Sequence, residues 1–219
     1  MKLKYEWRKQ EKEIYLPKKT PQQINIPKYN YLILSGKGNP NSELFAQQTA
    51  ALYAVSYHFR MDIKKGTLGG EPMEYVVYPL EGIWTTGDGS RGETLNKEAL
   101  EYKLMIRQPS CITQENLQAS LEKLARKKPN PHYEMLALKE YEEGSSVQML
   151  HVGSYDDELD SFKKMDAYLE EHQLARMNIM DRYIHREIYL SDPRKVAPEK
   201  LKTVLRYQVE QEGGTDITN

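Results

Sequence analysis

His185, Glu187 and Tyr189 stand at alternate positions in residues 182–190, RYIHREIYL. Successive side chains of a β-strand point to opposite faces, so these three share one face and Arg186, Ile188 and Leu190 share the other. A carboxylate flanked by an imidazole and a phenol suits two kinds of chemistry. Aromatic rings attract a cation while the carboxylate supplies the counter-charge. Partial burial also moves a glutamate toward the range in which it serves as a general acid or base. The same alternation fits an ordinary strand with one face in water. Glu81 and Trp84, in residues 78–84 (YPLEGIW), form a second candidate set. Pro79 and Gly82 interrupt regular pleating there, so the face of Glu81 stays open. A glycine beside a tryptophan marks a close approach of backbone to another strand or to a ligand, or a tryptophan in the core.

Other reactive arrangements fare worse. His185 and Glu187 are a poor metal pair at i,i+2, and the chain has no HExxH or CxxC spacing. Asp156, Asp157, Glu158 and Asp160 lack the alternation and central glycine of a calcium loop; they read as the acidic start of a helix. Gly36-Lys37-Gly38 and Gly87-Asp88-Gly89 lack the third glycine of a dinucleotide fingerprint and the Lys-Ser/Thr of a P-loop. Cys111 is the only cysteine, with no motif around it to make it a nucleophile. No metal and no cofactor is expected.

The elements that would position these residues appear twice, in the same order. Residues 29–38 read as a strand ending in glycine. Asn39–Ser42 supply turn and cap chemistry, and Leu44, Phe45, Ala51, Leu52, Val55 and Phe59 give a helical stripe to about Arg60. Strands follow at 75–84 and 102–107, after a polar loop at 64–71. In the second half, 147–153 is a strand ending in glycine, Leu159, Phe162, Met165 and Leu169 mark a helix to about His172, and 182–190 and 201–210 are strands. Gly36 matches Gly153, and Glu81 falls at the position duplicating Glu187. Each unit is preceded by a candidate hairpin partner, 22–26 and 134–142. Thr113 caps a bridging helix whose Leu117, Leu121 and Leu124 share a face, stopped by Pro129-Asn130-Pro131. The expected fold is α+β, with two pseudo-symmetric strand–helix–strand–strand modules, antiparallel sheets and a ligand cleft between them. One domain should cover 1–211 (repeats at about 22–112 and 133–211, bridging helix at 113–128), with a flexible tail at 212–219.

Composition is consistent with this. The chain has 219 residues, 39% apolar and 29% charged, and a formal net charge of -1, which gives no bulk attraction to nucleic acid or an anionic membrane. Arg126-Lys127-Lys128 suits a helix C-terminus. The single cysteine fits a reducing compartment. The N-terminus lacks an apolar signal region and no apolar run is long enough to span a bilayer, so the expected location is the cytoplasm. Sixteen Tyr against three Phe and two Trp suits either a partly wet cavity or polar strand faces.

Residues 78–84 (YPLEGIW), 151–158 (HVGSYDDE) and 185–195 (HREIYLSDPRK), in this order on this repeat, resemble the GyrI-like small-molecule-binding family over about 29–210. The resemblance implies a ligand held between the two modules by a central glutamate, matched here by Glu187, among tyrosines. It implies a bulky aromatic or cationic ligand. No helix-turn-helix module precedes Tyr29, so direct DNA binding is not expected. The stand-alone branch is similar to enzymes that hydrolyse cyclopropanoid genotoxins, which implies Glu187 as base and a ring sandwich drawn from Trp84, Tyr133, Tyr155 and Tyr189, with Glu81 and His185 nearby. A non-catalytic drug sensor or sequestering protein is the alternative.

Overall fold

The computed structural model describes residues 4–68 and 71–212. Residues 213–219 of the expected tail, and two glycines of the loop at 64–71, lie outside them. The first module contains β1 (Gln22–Ile26), β2 (Tyr29–Lys37), a long helix, β3 (Leu80–Thr86) and β4 (Leu100–Gln108). The second contains β5 (Ala137–Tyr141), β6 (Gly144–Val152), a helix, β7 (Leu174–Met177), β8 (His185–Tyr189) and β9 (Lys202–Gln211). Two four-residue helices, α1 (Trp7–Gln10) and α2 (Lys12–Tyr15), precede them.

The helices begin and end where local chemistry dictates. The helix of the first module, α3 (Glu43–Lys65), starts at Ser42, whose hydroxyl accepts from the Phe45 N–H, and ends at Gly66 in the left-handed region. It runs five residues beyond the expected Arg60 because Asp62 and Ile63 continue its buried face. The bridging helix α4 (Gln114–Lys127) opens with a reciprocal capping box between Thr113 and Asn116. The second module's helix is α5 (Glu158–Glu171). The strand expected from Tyr75 begins only at Leu80, after Pro79, which has no N–H to give a ladder.

Among the described residues all strands join one sheet in the order β1-β6-β9-β8-β3-β4-β2-β5, with β7 on β9, and every pairing is antiparallel. The two modules meet at β3 and β8, and the order reads the same from either end. One expectation is corrected here. β1 pairs with β6 and β5 with β2, so each module's first strand serves the other module and neither forms a hairpin with its neighbour. Only Pro27-Lys28 separates β1 from β2, and only Glu142-Glu143 separates β5 from β6. Such a link spans about 11 Å, so the outermost strands are drawn to the opposite ends of the sheet. The sheet therefore curls and closes on itself through a crossed ribbon.

Closure buries both faces of the central strands. One face lies under the helices: Tyr102 of β4 donates to Gln48 of α3 at 2.9 Å, and Phe162 of α5 stacks on Tyr207 of β9. The other face turns inward and carries a charged network. Arg186 binds Glu81 (2.6 Å) and Glu143 (3.1 Å), and Arg206 binds Glu143 (3.2 Å) and Gln148 (2.7 Å). Burial works against the Arg186 guanidinium, but Glu143, Tyr31 and Glu81 outweigh it and hold it charged.

Candidate functional site

Gly82 lies directly opposite Glu187 across β3 and β8, with Trp84 opposite His185 and Leu80 opposite Tyr189. All six therefore share the helix-covered face. Alternation on β8 places His185, Glu187 and Tyr189 as a row, and both outer members close on the carboxylate. His185 Nε2 lies 2.8 Å from Glu187 Oε1, and the Tyr189 hydroxyl donates to Oε2 at 2.8 Å. A carboxylate can only accept, so Nε2 of His185 carries the hydrogen. Trp84 Nε1 donates to the Tyr189 oxygen at 3.0 Å. The result is a chain of donors running Trp84 to Tyr189 to Glu187, met from the other side by His185.

Gly82 makes this possible. A Cβ there would lie 2.5 Å from Trp84 Nε1, so only glycine lets the indole fold back over its own strand. Phe45 of α3 stacks on Trp84 at 6.0 Å, and Phe162 of α5 meets the His185 ring edge-on at 4.9 Å. Tyr155, at the start of α5, packs edge-on against Tyr189 at 5.8 Å and is 37% exposed. The carboxylate thus lies on a floor of Trp84 and Tyr189, flanked by one helix from each module, with Tyr155 at the rim. Glu187 keeps 13% of its side-chain exposure.

Burial, then the neighbouring Glu187 charge, pushes the Tyr189 phenol well up and keeps it a donor. The Tyr155 phenol is pushed up to about 12, by burial first and then by Glu158 and Glu187. Glu158 is buried at the first turn of α5, and burial followed by the Glu187 charge lifts its carboxyl well above the usual range. Its Oε1 has no hydrogen-bond partner among the described residues. Sequence reading missed Glu158 as a site residue, taking it for helix-start charge. The signal was its phase: Glu158, Phe162, Met165 and Leu169 recur at four, three and four, so this carboxyl belongs to the apolar stripe rather than to the exposed Asp156-Asp157 pair.

The structure brings together Glu187, His185, Tyr189, Trp84 and Tyr155. Two other candidates are placed elsewhere. Glu81 neighbours Gly82, so it points to the inward face, where Arg186 holds it. A two-fold axis through the sheet keeps faces, so Glu81 is not the duplicate of Glu187. Tyr133 is buried beneath α4 and donates to the Lys128 carbonyl at 3.0 Å; it closes the helix end and lines a cavity against α4. The described residues contain no group of three or more His, Cys, Asp or Glu placed to hold a metal ion. None of their helices is long and apolar enough to cross a membrane.

The model of the GyrI-like small molecule binding domain matches residues 19–210. The chain belongs to the GyrI-like family. Solved structures agree over nearly its full length. A conserved protein of Listeria innocua whose structure is described as uncharacterized is 37% identical, with a TM-score of 0.86 over 94% of this chain and 100% of that one. Two structures described as hydrolases of Listeria innocua are 34% and 35% identical, with TM-scores of 0.80 and 0.81, covering 94% and 95% of this chain and 100% of theirs. No protein with a curated function matches. GyrI-like membership makes this a small-molecule-binding fold.

Proposed function

We propose that the Glu187 site binds a bulky aromatic or cationic small molecule and hydrolyses a strained cyclopropanoid ring in it. The observation that carries this reading is a carboxylate held by two oriented donors between tryptophan and tyrosine rings, at the junction of the two modules. The hydrolase description of relatives about 35% identical supports it. Tyr155 and Tyr189 offer aromatic surface to a flat ligand, while Trp84, packed between Gly82 and Phe45 and 4% exposed, orients the Tyr189 hydroxyl rather than stacking on the ligand. Glu187 takes a proton from a water whose oxygen bonds to a cyclopropane carbon. The ring C–C bond breaks, and its electron pair moves onto the conjugated carbonyl oxygen, which then takes up a proton. Ring strain makes the step easy, so one positioned base and water suffice.

Incubation with a cyclopropanoid alkylator, followed by mass spectrometry, tests the reaction. The expected product is the substrate plus one water, formed faster than in buffer, with a loss of about 10²–10⁴-fold in Glu187→Gln. Product at the buffer rate, or undiminished turnover in that variant, overturns it. One observation favours a second reading, a sensor or sequestering protein: both oxygens of Glu187 are engaged by His185 and Tyr189. Saturable quenching of tryptophan by an aromatic cation without turnover would select that reading.

A further inference from the structure

Two carboxyls meet under the start of α5. Tyr155, in the turn that runs into this helix, packs on Tyr189 at 5.8 Å, and Phe162, two turns on, meets His185 at 4.9 Å. β8 runs from His185 to Tyr189, so the helix crosses it in the opposite sense. Glu158 lies three residues after Tyr155 and four before Phe162, on the face that carries both rings. It is 5% exposed and falls above the middle of the row, where the Glu187 charge acts on it. Building on Glu187 as the ligand-holding carboxylate, we propose that Glu158 makes this a proton-exchanging cation site. An aromatic cation bound beside Glu187 drives the Glu158 proton off to water, and the bound state holds one cation and two carboxylates.

The surroundings make Glu158 depend on its proton. Glu187 has donors in His185 and Tyr189, both at 2.8 Å. Among the described residues no lysine, arginine or histidine forms an ion pair with Glu158. From its own helical turn Asp156 adds a charge of the same sign and turns outward to Lys97, of the β3–β4 connection, at 2.7 Å. From β9 the neighbour is Thr203, opposite Tyr189 and uncharged. From β6 comes His151, whose ring nitrogens lie 2.9 Å from Ser161 Oγ and 3.0 Å from the Ser154 carbonyl. From β8 come His185, Glu187 and Tyr189. A carboxyl buried without a cation keeps its proton, and a carboxylate beside it strengthens that preference.

A bound cation changes the balance. Its charge offsets the repulsion between the two carboxylates, so Glu158 ionises with the ligand in place. Linkage fixes the sign: a cation binds more tightly as pH rises through the range in which Glu158 loses its proton, by at most about tenfold per pH unit for one proton. A neutral ring leaves the proton where it is.

Calorimetric titration of the full chain with N-methylacridinium, and with N-methylacridone as the neutral flat probe, tests this. The expected affinity for the cation rises at least about fivefold from about pH 6 to about pH 8, and its heats in phosphate and Tris differ by the ionisation of up to about one proton per ligand. The neutral probe shows no such rise. In Glu158→Gln the cation still binds, but the rise and the buffer dependence disappear. A cation affinity that ignores pH overturns the exchange while leaving Glu187 as a ligand site. A rise shared by the neutral probe, or one that persists in Glu158→Gln and so assigns the proton to His185, also overturns it. Absence of cation binding to the wild type overturns both readings. Neither probe has a strained ring, so the outcome is independent of turnover.

Discussion

Glu158 and Glu187 place two carboxyls in one buried neighbourhood, and their surroundings treat them differently. Glu187 receives two donors; Glu158 Oε1 receives none. An acid whose folded pKa lies above its unfolded one binds its proton more tightly when folded, so stability falls as pH rises through the window between the two values. For Glu158 that window begins near the ordinary 4.5 and extends upward. Glu158→Gln is expected to flatten this loss. The variant should match the wild type at pH well below 4.5 and melt at higher temperature on the alkaline side of neutrality. Thermal unfolding followed across pH checks this, and a wild type that stays ahead at every pH counts against it. At this scale the alternation of His185, Glu187 and Tyr189 was fully legible. The indole over Gly82 was not, because a glycine beside a tryptophan has several readings until the opposite strand is known.

At the scale of elements, β8 is the informative strand. Its sequence sets three polar residues in a row, His185, Arg186 and Glu187, so each face of the strand carries a charged group, yet Arg186 is 0% exposed and binds Glu81 and Glu143. The sequence shows a charged residue on each face but not the closure that buries both. Removing only the cation strands two buried carboxylates, so Arg186→Met is expected to cost about 3–5 kcal/mol. Pairing it with Glu81→Leu should recover most of the loss, since a packed apolar pair commonly replaces a buried ion pair at little cost. Urea unfolding of the single and double variants distinguishes this from an arginine that matters only for packing, for which the second substitution restores nothing.

Across the whole molecule the repeated order of strands and helices was readable, and the exchange of first strands was not. A clue lay in the links. Two-residue hairpins favour Asn-Gly or Gly-containing turns, whereas Pro27-Lys28 and Glu142-Glu143 offer no residue suited to positive φ. Each half therefore lacks a strand that only the other supplies. If the chain is divided between Asn130 and Pro131, neither half is expected to remain soluble alone, while both produced together should copurify as a one-to-one complex on size exclusion. A half that is monomeric and cooperatively folded by itself would contradict the exchange.

The crossed ribbon also sets a schedule during synthesis. Gln22 pairs with Gln148 and Ile26 with Gly144, so β1 leaves the ribosome more than a hundred residues ahead of its partner. At about 5–20 residues per second, that is a wait of about 6 to 25 s with an open strand edge on the nascent chain. β1 is only five residues long, and its outward positions are Gln23 and Asn25. A short strand with polar outward residues is a poor template for pairing with other chains, which suits an element that must stay single until the second half of its own chain arrives.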